Sequence, residues 1–499
     1  MADRLLLGTR KGTIIFDRNR GNWEISTIGH PGTNVSFVAR DPRDGTLWAG
    51  LDHGHWGTKL SRSRDNGKTW ADAPQIKYPE DALLIEGYEG QDFAGQDSGT
   101  RKPIIVPAKL GKIWCIAFGN ADQPGRIWVG TIPGGLFRSD DGGETWELNR
   151  PLWNHESRGG DLNAGAPTGK QQWFGGGAVI DGKSYAGIHS IAVDPRDGRR
   201  VVIGISCAGV LETTDDGRTW TGRNKGLKAT FLPNPDAEWG HDPHFLEWCE
   251  SNPQHVWQQN HCGVFYSADG ARTWQEVSKP EQGVHFGFPV AVDAKDGRTA
   301  WLVPGIADDK RMAIGGGLFV ARTQDGGRTW KQLRKGLPQD GAHDVVYRHS
   351  LDNSGDCVAF GSTTGNLYLS EDRGESWQVI GNNLPPIYSV RFTQPAPAKK
   401  SKPAKLKARA RSASEGKTRK SGKAAKKTKP AKKTTPAKLK TRKPAKAAKK
   451  SKPASQSKPA KLKTRARSAS EGKTRKPGKP AKKSKPANKP AKKPAKKKR

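Results

Sequence analysis

Short apolar runs, each about four to eight residues long and rich in Val, Ile, Leu, Phe and Trp, fill residues 1–394, and Gly/Asp clusters separate them. No stretch keeps a 3.6-residue period long enough for a helix of ordinary length, so the pattern predicts strands joined by tight turns. The segment Ile188 to Trp220, IHSIAVDPRDGRR followed by VVIGISCAGVLETTDDGRTW, shows the unit: strand, turn, strand, turn, strand, polar turn, and a fourth short strand after the Trp.

The polar turn repeats. The pattern S/T-x-D-x-G-x-T/S-W occurs as SRDNGKTW (Ser63 to Trp70), SDDGGETW (Ser139 to Trp146), TTDDGRTW (Thr213 to Trp220), SADGARTW (Ser267 to Trp274), TQDGGRTW (Thr323 to Trp330) and SEDRGESW (Ser370 to Trp377), with a degenerate relative in FDRNRGNW (Phe16 to Trp23). In each full copy the carboxylate (Asp65, Asp141, Asp215, Asp269, Asp325, Asp372) is placed to accept backbone N–H bonds, the Gly allows positive φ, and the Trp is large enough to pack on a neighbouring sheet. The role expected for these aspartates is structural; calcium ligation would need more oxygen ligands than the motif supplies. Four strands per unit, repeated radially, describe an all-β propeller. LLLGT at the start matches a second strand and PPIYSVRF at the end of the body matches a first strand. Ile387 to Phe392 should therefore pair with the N-terminal strands and close a ring of seven blades.

The repeated motif is the Asp-box, or BNR repeat, and residues 1–394 resemble Asp-box propellers such as sialidases, sortilin-type receptors, xyloglucan-active glycosidases and photosystem-assembly propellers. The phrases DHGHWGTKLSRSRDNGKTW, GIHSIAVDPRD, FGSTTGNLYLSED and LPPIYSVRF are similar to a bacterial group of BNR- and WD40/YVTN-like repeat proteins known as exo-alpha-sialidases or glycosyl hydrolases. A sialidase resemblance implies an arginine triad opened by an Arg-Ile-Pro-type motif, and a Tyr/Glu pair with an Asp. Here the N-terminal segment reads LLLGTRKG: Arg10 and Lys11 are basic, the Ile-Pro is absent, and the other members have no recognisable counterpart.

Strand order places the Asp-boxes on one face, because they join third to fourth strands, and places the loops entering each first strand on the other. Aligning the innermost strands puts one residue per blade at the channel mouth of that second face: Ser36, Trp114, His189, His244, His285, His343 and Tyr388. With His30, His53, His55, His155, His241 and His261, ten of the twelve histidines fall there, leaving His255 and His349. Neutral imidazoles gathered at a mouth act as ligands or general bases, and a divalent metal is one occupant they suit. The alternative is that they bond only to neighbouring strands and water. No organic cofactor is expected.

Three long crossings should form a lip over this face: 42 residues between Trp70 and Ile113, 41 between Trp146 and Ile188, and 22 between Trp220 and Pro243. They carry Tyr78, Glu86 and Tyr88, then Trp153, His155, Glu156, Arg158, Trp173 and Phe174, then Glu238, Trp239 and Asp242. Aromatics beside carboxylates suit sugar stacking with acid/base chemistry, which makes Glu86, Glu156 and Asp242 the candidate catalytic acids of a glycoside hydrolase. The same side chains could equally form the loops' own small cores.

Charge divides the chain. The net +37 splits into +41 over residues 395–499, with 43 Lys+Arg against Glu415 and Glu471, and −4 over the body, with 43 bases against 47 acids. The tail lacks aromatics, repeats SKPAKLK(A/T)RARSASEGKTRK at 401–420 and 457–476, and resembles the Lys/Ala/Pro-rich tails of linker histones and bacterial histone-H1-like proteins. Such a segment is expected to be disordered and to bind nucleic acid non-specifically through counterion release; a solubilising tail is the alternative. Five scattered cysteines without a CxxC pair, and an N-terminus interrupted by Asp3 and Arg4, point to a reducing, cytoplasmic or nucleoid-associated setting without a membrane span. The expected form is a monomer that binds an unidentified ligand or protein at the mouth.

Overall fold

A computed structural model describes residues 3–89, 102–164, 171–175, 178–180 and 182–393. Contacts divide the chain into Met1–Ala404 and Lys405–Arg499, and the basic tail expected over 395–499 lies outside the described residues. The body is a seven-bladed β-propeller of four-stranded antiparallel sheets.

Blade 1 is built from both ends of the body. Its innermost strand is Ile387–Thr393, followed outward by Arg4–Thr9, Gly12–Asn19 and Asn22–Gly29. Leu5 pairs with Phe392 and Leu7 with Val390, so the last strand closes the ring as its sequence predicts. The innermost strands of blades 2 to 7 are Asn34–Arg40, Lys112–Phe118, Ile188–Val193, Pro243–Cys249, Gly287–Val292 and Leu351–Ser354. Continuous burial along second strands such as Ile127–Ile132 and Val201–Ile205 reflects their position between neighbouring blades. Trp128, Trp257 and Trp301 are fully buried there. Among the described residues no helix is long and apolar enough to cross a membrane, and all five cysteines are free.

Each Asp-box is a closed hydrogen-bond knot. In the second copy Asp141 Oδ1 accepts from Thr145 N at 2.9 Å and Ser139 Oγ at 2.8 Å, while Oδ2 accepts from Thr145 Oγ1 at 2.6 Å. Gly143 N donates to Ser139 Oγ at 2.8 Å. The set recurs around Asp65, Asp215, Asp269, Asp325 and Asp372. Both carboxylate oxygens are thus occupied within the turn, as a structural role requires. The knot is held outward and inward: Gly142 N donates to Gly125 O of the first hairpin in the same blade, and the Trp146 indole donates to Pro74 O of the preceding blade. Trp274 and Trp330 make the same reach to Arg223 O and Val277 O.

The knots and the hairpins between first and second strands therefore share one face. The crossings and the turns between second and third strands occupy the opposite face, where two of the long crossings fold back as hairpins, Leu83–Tyr88 with Pro103–Pro107 and Ala178–Ile180 with Lys183–Tyr185.

Candidate functional site at the channel mouth

A β-bulge marks where six of the innermost strands enter the channel. The pairing register skips Ser36, Trp114, His189, His244, Phe288 with Pro289, and Tyr388 in blades 2, 3, 4, 5, 6 and 1. A bulge turns one side chain out of the alternation. Here it gathers a ring of side chains from different blades around the axis.

Blade 7 has no named bulge, but its position is fixed by neighbours. His349 bridges to Ser389, the residue after Tyr388, and its ring packs edge-on against Phe37 and Phe245, the residues after Ser36 and His244. Arg348 therefore holds the seventh place. The ring consists of Ser36, Trp114, His189, His244, Phe288, Arg348 and Tyr388, and the positions expected for His285 and His343 belong to Phe288 and Arg348. The reason is that both first strands begin later than a histidine-led alignment puts them: His285 precedes Gly287–Val292 with its Nδ1 buried and unpartnered, and His343 is an exposed residue of the loop ahead of Leu351.

Aromatic and cationic groups plug the mouth. The Arg348 guanidinium lies 5.0 Å from the Trp114 ring and 5.2 Å from the Phe288 ring. His244 stacks on Phe288 at 4.7 Å, Trp114 meets His189 edge-on at 5.3 Å, and Tyr388 stacks with Tyr347 at 6.2 Å. Arg348 forms no ion pair and its Nε has no hydrogen-bond partner among the described residues. Burial lowers its pKa, with Asp242 the main group acting the other way. Burial also keeps His189 neutral, helped by Arg348 and His349, and leaves His189 Nε2 without a partner.

Asp242 is the most connected acid at this mouth. It precedes the blade 5 inner strand, accepts Cys207 N–H at 3.0 Å through Oδ1, and faces two imidazoles through Oδ2: His244 Nε2 at 3.5 Å and His261 Nδ1 at 3.5 Å. Burial opposes its ionisation, but His244, His261 and Arg348 outweigh that and hold its pKa well below the usual carboxylate range. His261 sits on the turn joining Asn252–Asn260 to Gly263–Ser267, and its contact with Asp242 raises its pKa. Cys207, at φ 51°, occupies the corresponding turn of blade 4; burial, then the charge of Asp242, pushes its thiol up. Asp308 acts electrostatically on both His261 and Cys207.

The other candidates lie elsewhere. Glu86 pairs with Lys183 at 2.7 Å and Tyr185 OH at 2.9 Å, tying one long crossing to the next, and Glu156 is an exposed loop residue. Neither joins Asp242, so the three acids do not form one catalytic set. Tyr78, half-buried, bonds to Thr131 and Pro133, and Arg158 lies between Trp153 at 3.5 Å and Trp173 at 4.9 Å. These crossings thus have cores of their own. His53 and His55 lie on the turn around Gly54–Trp56, where Trp56 is 72% exposed. His30 bridges Thr13 and Ser61, His155 contacts Ser157, and His241 contacts Ala237 O.

Below the ring the channel widens into a cavity of about 500 Å³ that runs toward the Asp-box face. Glu247, Arg391 and His349 line it, with Phe37, Phe118 and Trp248. His349 Nε2 bonds to His189 O at 2.7 Å and so forms the floor between mouth and cavity. Burial, then repulsion from Asp352, pushes the Glu247 carboxyl up to about 8.

Among known families, a BNR/Asp-box repeat matches residues 137–148. No curated protein matches the chain. Among solved structures, an ancestral GH74 enzyme is similar at 15% identity and TM-score 0.43, covering 72% of this chain and 38% of its own, so the chain spans well under half of that protein. A putative 6-phosphogluconolactonase from Bacteroides uniformis aligns at 12% identity and TM-score 0.44, over 78% of this chain and 99% of its own. YCF48 from Cyanidioschyzon merolae aligns at 15% and 0.41, over 78% and 96%. With the blade count and the Asp-box knots, the chain is a seven-bladed β-propeller built on BNR/Asp-box repeats.

Proposed function

We propose that the propeller is a binding module for a small anionic ligand, held at the channel mouth opposite the Asp-boxes. One observation carries this reading: Arg348, clamped between Trp114 and Phe288, is a guanidinium with no ion-pair partner among the described residues. A half-buried cation without a counter-ion among the described residues favours a carboxylate or phosphate, which it can bind in a fork geometry. Such a charge-assisted contact is worth about 1.5–3 kcal/mol, or roughly 10–100-fold in affinity. Thermal-shift titration with inorganic phosphate and with malonate should stabilise the wild type saturably and leave Arg348→Met unmoved; equal shifts in both proteins would sink the reading. Hydrolysis of a glycoside is the second reading, supported by Asp242, a carboxylate at the mouth that faces two imidazoles at 3.5 Å. It requires turnover in a glycoside panel that Asp242→Asn abolishes.

Residues 395–499 complete the proposal as a non-specific tether to nucleic acid, on the strength of 43 Lys+Arg against two acids. Full-length protein should bind duplex DNA with an affinity that falls steeply with salt, whereas a chain ending at Thr393 should not. Equal binding by both at low salt refutes the tether.

A further inference from the structure

We propose that Asp242, His244 and His261 form a mononuclear site for a divalent transition metal of the zinc class. The inference goes beyond anion binding and stands without it. The three ligand atoms lie within 4.8 Å of one another, from a crossing, a bulge and a turn that meet at the mouth.

The argument is one of distances and protons. His244 Nδ1 donates to Gly287 O at 2.6 Å, which puts the proton of the neutral ring on Nδ1 and leaves the Nε2 lone pair facing Asp242 Oδ2 at 3.5 Å. In the neutral ring an acceptor then faces an acceptor, an arrangement that either a proton on Nε2 or a bound cation relieves. His261 Nδ1 approaches the same oxygen at 3.5 Å. These separations exceed good N–H···O bonds of about 2.7–3.2 Å. They match instead the roughly 3.4 Å between ligands that each sit about 2.0–2.1 Å from a tetrahedral zinc. The outer partners are in place as well: Gly287 O orients one imidazole, and Cys207 N–H holds the second carboxylate oxygen at 3.0 Å. His261 is half-buried on its turn, its ring held edge-on against Phe231 and Phe286.

Two imidazoles and one carboxylate are the donor set of zinc sites that keep a position open. A second observation points to a ligand at this mouth: His189 Nε2, on a fully buried side chain of the same ring, has no hydrogen-bond partner among the described residues. A dication with one carboxylate leaves a net positive site beside Arg348, so an anion bound by the guanidinium could also reach the open metal position.

The test uses the untagged full chain after chelator dialysis, titrated with Zn²⁺ alone by calorimetry and checked by elemental analysis. The tail contains neither His nor Cys, so it brings no competing imidazole or thiolate. One equivalent per chain is expected in the wild type, weakened at least about 100-fold in His261→Ala. It should be unchanged in a His53→Ala/His55→Ala variant, which removes the exposed pair most prone to adventitious binding. The visible spectrum of Co²⁺ in the wild type and in His261→Gln gives a second readout, with melting curves of the metal-free variants checking the fold. Absence of stoichiometric binding in the wild type, binding that survives His261→Ala, or loss only in the His53/His55 variant overturns the proposal. Because no anion is present, its failure leaves the Arg348 experiment standing.

Discussion

Glu247→Gln isolates one buried proton. Glu247 lies on the innermost strand of blade 5, accepts Val292 N–H at 3.0 Å through Oε2, and faces the channel cavity near Asp352 and Arg391. Its carboxyl moves from 4.5 to about 8, so between these values the unfolded chain has lost a proton that the folded chain keeps. A group raised in this way contributes stability that is complete below the unfolded value and is lost as pH rises toward 8. At about 1.4 kcal/mol per unit, the full shift amounts to about 5 kcal/mol, and water in the cavity reduces this to roughly 2–4 kcal/mol. Glutamine keeps the acceptor for Val292 and removes the titration. Urea unfolding at intervals from pH 6.5 to 8.5, where the histidine contribution is common to wild type and variant, should show a wild-type slope steeper by up to about 1.4 kcal/mol per pH unit. The variant should be the more stable protein at pH 8. Parallel curves would refute the reasoning, because they would mean that Glu247 is ionised in the folded chain across this range.

His30 has the opposite sense. Its two nitrogens are 3.0 Å from Thr13 Oγ1 and Ser61 Oγ, and burial, with repulsion from His53, lowers its pKa to about 4. Below pH 6.5 the unfolded imidazole takes up a proton that the folded one refuses, so stability falls between pH 6.5 and 4, by up to about 3 kcal/mol. His30→Gln should retain both hydrogen bonds and shift acid unfolding to lower pH; unchanged acid midpoints would contradict this. In the Asp-box, Gly143 has φ 82° and an added Cβ would come within 2.4 Å of the Trp48 ring in the preceding blade. Gly143→Val should cost about 2–5 kcal/mol by melting or urea unfolding. Ala271→Gly, at the matching place with φ 70°, should be neutral or slightly stabilising. A neutral Gly143→Val would remove the close-packing account of the motif.

The parts of the fold that the residues reveal directly are those encoded in local spacing. Ser139 to Trp146 specifies its own knot, and the mismatch between LLLGT and PPIYSVRF tells which blade is shared. The ring at the mouth was legible only in part, because a bulge shifts the register by one residue and no periodicity records it. Ser36, Trp114, His189, His244 and Tyr388 stand at skipped positions; His285 and His343 do not, and Phe288 and Arg348, which take their places, share no residue type with the histidine positions. The dipeptides Ser36-Phe37, His244-Phe245, Arg348-His349 and Tyr388-Ser389 share a structural place without sharing a residue type. Glu86 illustrates the other limit: its partner Lys183 is 97 residues away, so nothing in its neighbourhood distinguished an ion pair from a catalytic acid. Glu247 was invisible because only the cavity around it makes an ordinary strand glutamate unusual.

Joining the first blade from both ends of the body sets a timetable for synthesis. Until Ile387–Thr393 is made, Arg4–Thr9 is a bare apolar edge, with Leu5 and Leu7 awaiting partners nearly four hundred residues downstream. The nascent chain must carry that adhesive border through production of six other sheets. While the basic segment beyond Thr393 is being translated, the circle can lock with the polypeptide still held by the ribosome.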